Sequence, residues 1–161
     1  MDVTLMPVGT IGRPLLEAVK ARLESLGFSC FLSKEHSIPD KAYNPLRNQY
    51  LVHQFLDLVN TEEGHHLLIT SVDLYIKGLN FIFGYAPGPN AIISIARLQG
   101  ARLEERTVKE AVHELGHVLS LGHCSNPRCV MHFSNTLSDT DYKSVKFCSE
   151  CLKRLPPSFQ E

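Results

Sequence analysis

The stretch His113-Glu114-Leu115-Gly116-His117-Val118-Leu119-Ser120-Leu121-Gly122-His123-Cys124 is where the reading of this chain begins. Val108, Ala111, Val112, Leu115, Val118 and Leu119 recur at helical spacing, which predicts a helix over Arg102 to Leu121. Residues four apart on a helix lie one above the other, so His113 and His117 aim two imidazoles at one point. With His123 they make three neutral nitrogen ligands, a set that leaves a tetrahedral zinc one open position for water. Glu114 lies about 100° further round the helix from the first ligand, where its carboxylate reaches that water rather than the ion. The expected chemistry is hydrolytic. The metal acidifies the water and polarises a carbonyl, and Glu114 takes the water proton and passes it to the leaving amine. A bare HExxH arises by chance in roughly a few per cent of chains of this composition, and a third His six residues on lowers that to about one in a thousand.

A second constellation starts at the next residue. Cys124, Cys129, Cys148 and Cys151 form C-x4-C, a gap of 18 residues, then C-x2-C. Paired thiolates at such spacing make chelating knuckles, and four of them close a tetrahedral zinc with no open position. This predicts a structural site that folds a tail too short to build its own core. A redox C-x-x-C at Cys148 and Cys151 lacks the strand-then-helix setting that chemistry uses. Because Cys124 follows His123, adjacent residues would anchor two different metals, and the structural ion would brace the third catalytic ligand. Cys30, between Phe28 and Phe31, reads as a buried core thiol.

Outward from these sites, the 161-residue chain has the size of one domain, with 43% apolar and 20% charged residues. Its 16 basic and 17 acidic side chains give a net charge of -1, so no electrostatic footprint for nucleic acid or an anionic membrane is expected. No apolar run has membrane-spanning length. The N-terminus lacks the basic and apolar regions of a signal peptide, so the expected compartment is the cytoplasm, where thiols stay reduced. Val3 to Val8, Phe28 to Leu32 and His66 to Thr70 read as strands, with a helix from Pro14 to Leu26 closed by Gly27. Leu46 to Val59 reads as a second helix through Leu51, Phe55, Leu58 and Val59. Phe81 to Tyr85 and Ala91 to Arg97 flank the turn Pro87-Gly88-Pro89-Asn90 and read as antiparallel strands. The order predicts an α/β (α+β) domain: a mixed sheet with helices packed on it, then a small zinc-bound C-terminal subdomain. Residues 1–123 would form the first part and 124–161 the second.

The run His113 to His123, the Cys124/Cys129 and Cys148/Cys151 pairs and Met131 together resemble the archaemetzincin family of metzincin zinc peptidases. Asp73-Leu74-Tyr75, Gly78 to Gly84, Ser94 to Leu98 and Lys109 to Val112 fit it too. The resemblance implies a mostly parallel five-stranded twisted sheet and two zinc ions per chain, one catalytic and one structural. It also implies a Met-turn at Cys129-Val130-Met131, with Met131 beneath the catalytic metal. A peptide or protein substrate would lie extended against an antiparallel edge strand at about Asn80 to Tyr85.

Two departures from the metzincin pattern stand out. Ser120 occupies the position where Gly is usual, so either the turn keeps negative φ or Gly122 absorbs the bend. Phe133 replaces a Tyr found near the metal in some metzincins, so no phenol at this position can bind it. The function expected is therefore a zinc metallopeptidase acting on short peptides or as an aminopeptidase, a monomer being favoured. Asp73, Glu110 and Asp139 are the candidates for holding a terminal amine. A peptide-binding module with little turnover is the alternative, and a zinc-ribbon nucleic-acid module is disfavoured by the charge balance.

Overall fold

Along three strands the side chains Leu5, Leu67, Ile69 and Ile93 alternate with Met6, Val8, Leu68 and Ile92, and both sets are buried. Strands of that kind need cover on both faces, which is the usual condition of a parallel sheet. The computed structural model describes residues 1–159, so Gln160 and Glu161, the end of the expected second part, lie outside the described residues. The chain runs β1 (Asp2–Val8), α1 (Arg13–Ser25), β2 (Ser29–Leu32), β3 (Tyr43–Asn44) and β4 (Gln49–Leu51). It continues through α2 (His53–Leu56), β5 (His65–Thr70), β6 (Leu74–Tyr75), β7 (Gly84–Tyr85) and β8 (Ala91–Ser94). The long helix α3 (Leu103–Val118) and the short helices α4 (Leu137–Tyr142) and α5 (Ser149–Leu152) follow.

Five strands form one sheet in the order β2-β1-β5-β8-β7. The first four are parallel and β7 alone runs antiparallel, at the edge. This is the mostly parallel five-stranded sheet that the resemblance implied. On one face, Leu16, Val19 and Leu23 of α1 and Val108, Val112 and Leu115 of α3 cover Leu5, Leu67 and Ile93. Val130, Met131, Phe147 and Cys151 belong to the same core, so the cysteine-bearing segment is packed directly on the sheet domain. On the other face Met6, Val8, Leu68 and Ile92 meet Ala42, Val52, Phe55 and Leu74, beneath a small sheet in the order β3-β4-β6.

Two expectations need correction. Leu46 to Val59 is not one helix: it holds β4 and the four-residue α2, and Leu46 is 96% exposed. Tyr50 N–H donates to the Asp73 carbonyl at 2.9 Å and Val52 N–H to the Tyr75 carbonyl at 3.1 Å. Pairing with a distant strand here overrides the local apolar period. The edge strand is also shorter than Asn80 to Tyr85. Only Gly84–Tyr85 pairs with β8, while Ile82 turns to bridge Leu74 instead.

Candidate active site

Ten consecutive residues of α3, Thr107 to Gly116, are buried, as befits a helix wedged between the sheet and the C-terminal segment. His113 Nδ1 lies 2.8 Å from the Val130 carbonyl and His117 Nδ1 lies 2.8 Å from the Leu121 carbonyl. A carbonyl can only accept, so both Nδ1 atoms carry the proton and both Nε2 atoms present bare lone pairs. Those two Nε2 atoms face each other at 3.2 Å. No hydrogen bond can join two lone pairs, but a cation between them can. Tetrahedral zinc with nitrogen ligands at about 2.0–2.1 Å sets neighbouring ligand atoms roughly 3.3–3.4 Å apart. The three histidine ligand atoms lie within 4.8 Å of one another, and His123 closes the group from the exposed side. The donor set and its spacing therefore fit zinc. Burial pushes the His113 imidazole down to about 3, with the Lys143 cation adding to the effect. The ring is thus kept neutral, as a ligand must be.

The bend between His117 and His123 differs from both possibilities raised by the sequence. Ser120 itself takes φ 72°, and Gly122 is not in the positive-φ region. Leu121 N–H donates to the Gly116 carbonyl at 2.9 Å and Ser120 N–H to the His117 carbonyl at 2.9 Å. That pair of bonds is a Schellman cap, which places the residue after the C-cap in the left-handed region. The cap ends α3 at Val118 rather than Leu121 and turns the Leu121 carbonyl back onto His117.

Two glycines permit close approaches that the sequence did not single out. A Cβ on Gly116 would collide with the Met131 side chain, its Cε at 2.9 Å, and would crowd Phe147. Met131 is fully buried against the underside of the histidine helix. A Cβ on Gly84 would meet Glu114 Cγ and Oε1 at 2.8 Å and the Ile92 carbonyl at 2.9 Å. The edge strand β7 can therefore lie against the carboxylate of Glu114. Burial drives the Glu114 carboxyl well above its ordinary range, and the neighbouring Glu110 carboxylate drives it further.

The four cysteines also converge, their Sγ atoms within 4.8 Å of one another. Cys124 and Cys148 are 3.8 Å apart and Cys129 and Cys151 3.7 Å. A tetrahedron of thiolates at about 2.3 Å from zinc has edges of roughly 3.8 Å. The Cys129 sulfur accepts backbone N–H groups of Met131 at 3.4 Å and Cys148 at 3.3 Å. Cys124 N–H donates to the Met131 carbonyl at 3.0 Å, and the Cys124 carbonyl accepts from His132 Nδ1 at 2.8 Å. The two clusters thus share a loop as well as the His123–Cys124 peptide.

A cavity of about 270 Å³ opens beside His113 and Glu114, between the 79–84 segment on one wall and Glu110, Phe133, Ser134 and Asn135 on the other. Its rim is clamped from outside. Arg47 donates to the carbonyls of Leu79 at 2.7 Å and Asn80 at 3.2 Å. Gln49 donates to the Asn80 carbonyl and to Asp73, and Arg97 grips Asp73 through two bonds of 2.9 Å while stacking on Phe81. Asp73 is therefore committed to the clamp. Asp139 is committed to the capping box that starts α4, leaving Glu110 as the one of the three acidic candidates in the cavity. Behind it the buried Lys143 donates to the His132 carbonyl at 3.1 Å and lies 3.9 Å from Glu110. Lys143 carried no sequence signal, because its partners are 11 to 33 residues away.

A helix-borne HExxH over a parallel sheet, a third histidine beyond a tight cap and an antiparallel edge strand along the cleft define the class of zinc metallopeptidases. Within that class the chain belongs to peptidase family M54, whose sequence pattern matches residues 36–156. It is similar to the archaemetzincin of Methanocaldococcus jannaschii, with 39% identity covering 96% of this chain and 93% of the relative. The archaemetzincin of Pyrococcus furiosus is 40% identical over 95% and 91% of the two chains. The crystal structure of archaemetzincin from Archaeoglobus fulgidus complexed with malonate superposes with a TM-score of 0.89 at 38% identity, covering 96% and 100%. That from Methanopyrus kandleri gives 0.86 at 35%, covering 100% and 96%. Among the described residues no helix is long and apolar enough to cross a membrane.

Proposed function

We propose that His113, His117 and His123 hold the catalytic zinc, that Glu114 is the general base, and that Cys124, Cys129, Cys148 and Cys151 hold a second, structural ion. The observation that carries this is the pair of opposed Nε2 lone pairs at 3.2 Å, each fixed by a carbonyl on the far side of its ring. Bound there, zinc supplies Lewis acidity, polarising the scissile carbonyl and acidifying a water. The chain does the rest. Glu114, which lines the cavity one residue from the first ligand, would take the water proton and deliver it to the leaving amine. The clamped 79–85 segment orients an extended peptide by backbone hydrogen bonds. Met131 supports the helix from below, and Cys124 ties His123 to the second cluster.

The same reading treats residues 1–161 as one catalytic unit whose parts, 1–123 and 124–161, meet at His123–Cys124. A cluster of free thiols suits a reducing compartment, which supports a cytoplasmic setting. Short peptides are the proposed substrates, and for an aminopeptidase mode Glu110 is the one of the three acidic candidates that lines the cavity. The test pairs metal analysis with cleavage of a peptide library by the native chain and by Glu114→Ala. Two zinc ions per chain are expected, with chelator-sensitive cleavage lost in the variant and both ions retained. A single ion would end the two-site reading, and two ions without cleavage would favour a peptide-binding module.

A further inference from the structure

Glu110, His113, Glu114 and His117 share one face of α3, at positions i, i+3, i+4 and i+7. Glu110 therefore stands one turn before the catalytic pair, on the wall of the 270 Å³ cavity. Its carboxylate is only half used. Oε1 accepts from the Thr140 hydroxyl at 3.0 Å and faces Lys143 at 3.9 Å, while Oε2 has no hydrogen-bond partner among the described residues. The same wall carries Ser134, 8% exposed, whose hydroxyl is buried and without a hydrogen-bond partner among the described residues. A buried hydroxyl left unpaired is unfavourable by about 1–3 kcal/mol, so it marks a place where a ligand atom belongs. The opposite wall is apolar, built by Leu79, Phe81, Ile82 and Phe83.

An apolar wall leading to two free acceptors suits a side chain with a long hydrocarbon stem and an N–H donor at its end. Lysine, arginine and glutamine have that form. Lys143 balances the Glu110 charge, so the chemistry read is donation of a hydrogen bond rather than net charge alone. The cavity's place follows from Glu114, which borders it and must reach the leaving amine to protonate it. The residue that carries the leaving amine is therefore the one whose side chain enters. A substrate's free terminal amine lies on the other side of the scissile bond, so Glu110 is a side-chain reader and not a terminal-amine anchor.

We propose that Glu110 and Ser134 form a specificity pocket for a long, donor-ended side chain on the residue that carries the leaving amine. This rests on the peptidase reading above. The test uses peptides of one sequence that differ only at that residue, carrying lysine, arginine, glutamine, norleucine, methionine or glutamate, with kcat/KM measured on the zinc-loaded protein. A preference of about tenfold or more for the three donors over norleucine and methionine is expected, the scale of buried polar groups left paired or unpaired. Glu110→Gln, which turns half of the acceptor into a donor, should reduce the advantage of the three donors over norleucine several-fold. Ser134→Ala, which removes a hydroxyl with no partner to lose, should reduce the donor-to-norleucine ratio several-fold. Ratios are read because a general loss of folded or metal-loaded protein leaves them unmoved. Norleucine or methionine cleaved as well as the donors, or ratios unchanged in both variants, would overturn the pocket. If nothing is cleaved, the peptidase reading fails separately. Calorimetric binding of the same peptides to zinc-loaded Glu114→Ala then decides the pocket, with donor-ended peptides binding tighter expected and equal affinities overturning it.

Discussion

The two ligand clusters are one residue apart in sequence, at His123 and Cys124, yet they are built in opposite ways. Two of the three histidines stand on a 16-residue helix inside the main core, and carbonyls of Val130 and Leu121 fix their rings from behind. The cysteine group stands on turns and the four-residue α5, with its sulfurs paired at 3.7 and 3.8 Å and backbone N–H groups of Met131 and Cys148 donating to Cys129. In the first case the fold itself arranges the donors. In the second, Cys129 and Cys151 pack on the main core but the turns that carry the thiols have little regular structure of their own, so more of the local order would fall to an ion held there.

The largest expected effect follows from that contrast. Cys151→Ser removes a buried thiol from the second cluster and should lower the thermal midpoint by ~10 °C, reflecting the loss of a few kcal/mol in a domain of this size. Circular dichroism melts with and without chelator measure it, and the shift that chelator produces should be smaller in the variant, which keeps only the histidine site. A midpoint within a degree or two of the native protein would mean that the cysteine cluster is as preorganised as the histidine cluster. The contrast would then fall.

Lys143→Met probes the other side. The ammonium is fully buried, and burial lowers its proton affinity, with the Glu110 carboxylate opposing that shift. Removing it leaves Glu110 buried beside Glu114 without a cation, at a cost of about 3 kcal/mol. Denaturant midpoints should show this, together with weaker zinc retention at the histidines, because Lys143 pins the His132 carbonyl in the loop that holds His113. Gly116→Ala should be milder, about 1–2 kcal/mol, since overpacking against Met131 is partly offset by better helix propensity. A neutral result there would show that Met131 is free to move aside and does not brace the helix.

What was legible in the sequence has a common physical origin. His113, His117 and the cysteine pairs are set by local geometry, helical periodicity and knuckle spacing, so a few residues suffice to read them. The clamp on the cleft rim joins Arg47 to Leu79 and Asp73 to Gln49 and Arg97, contacts that exist only after distant strands pair. Lys143 escaped notice for the same reason. The stretch from Leu46 to Val59 misled because Leu51, Phe55, Leu58 and Val59 do repeat at helical spacing, yet Tyr50 finds its backbone partner 23 residues further on, at Asp73. Ser120 shows the limit differently: the spacing to His123 demands a bend, but only the cap bonds decide that Ser120 rather than Gly122 takes positive φ.

That residue gives the smallest and most discriminating effect. Ser120 holds φ 72° in a cap whose bonds are intact on both sides. A non-glycine residue in the left-handed region is strained by roughly 1 kcal/mol, so Ser120→Gly should relieve it. The gain in folding stability should be a few tenths to about 1 kcal/mol, because glycine also raises the entropy of the unfolded chain. Zinc affinity at the histidines is the sharper readout. The same cap presents the Leu121 carbonyl to His117 Nδ1. If the helix and its cap bonds fix that carbonyl, affinity stays unchanged while stability rises. If affinity falls as stability rises, the stiffness of Ser120 itself was aligning His117. The histidine cluster would then owe part of its preorganisation to a strained residue rather than to the helix beneath it.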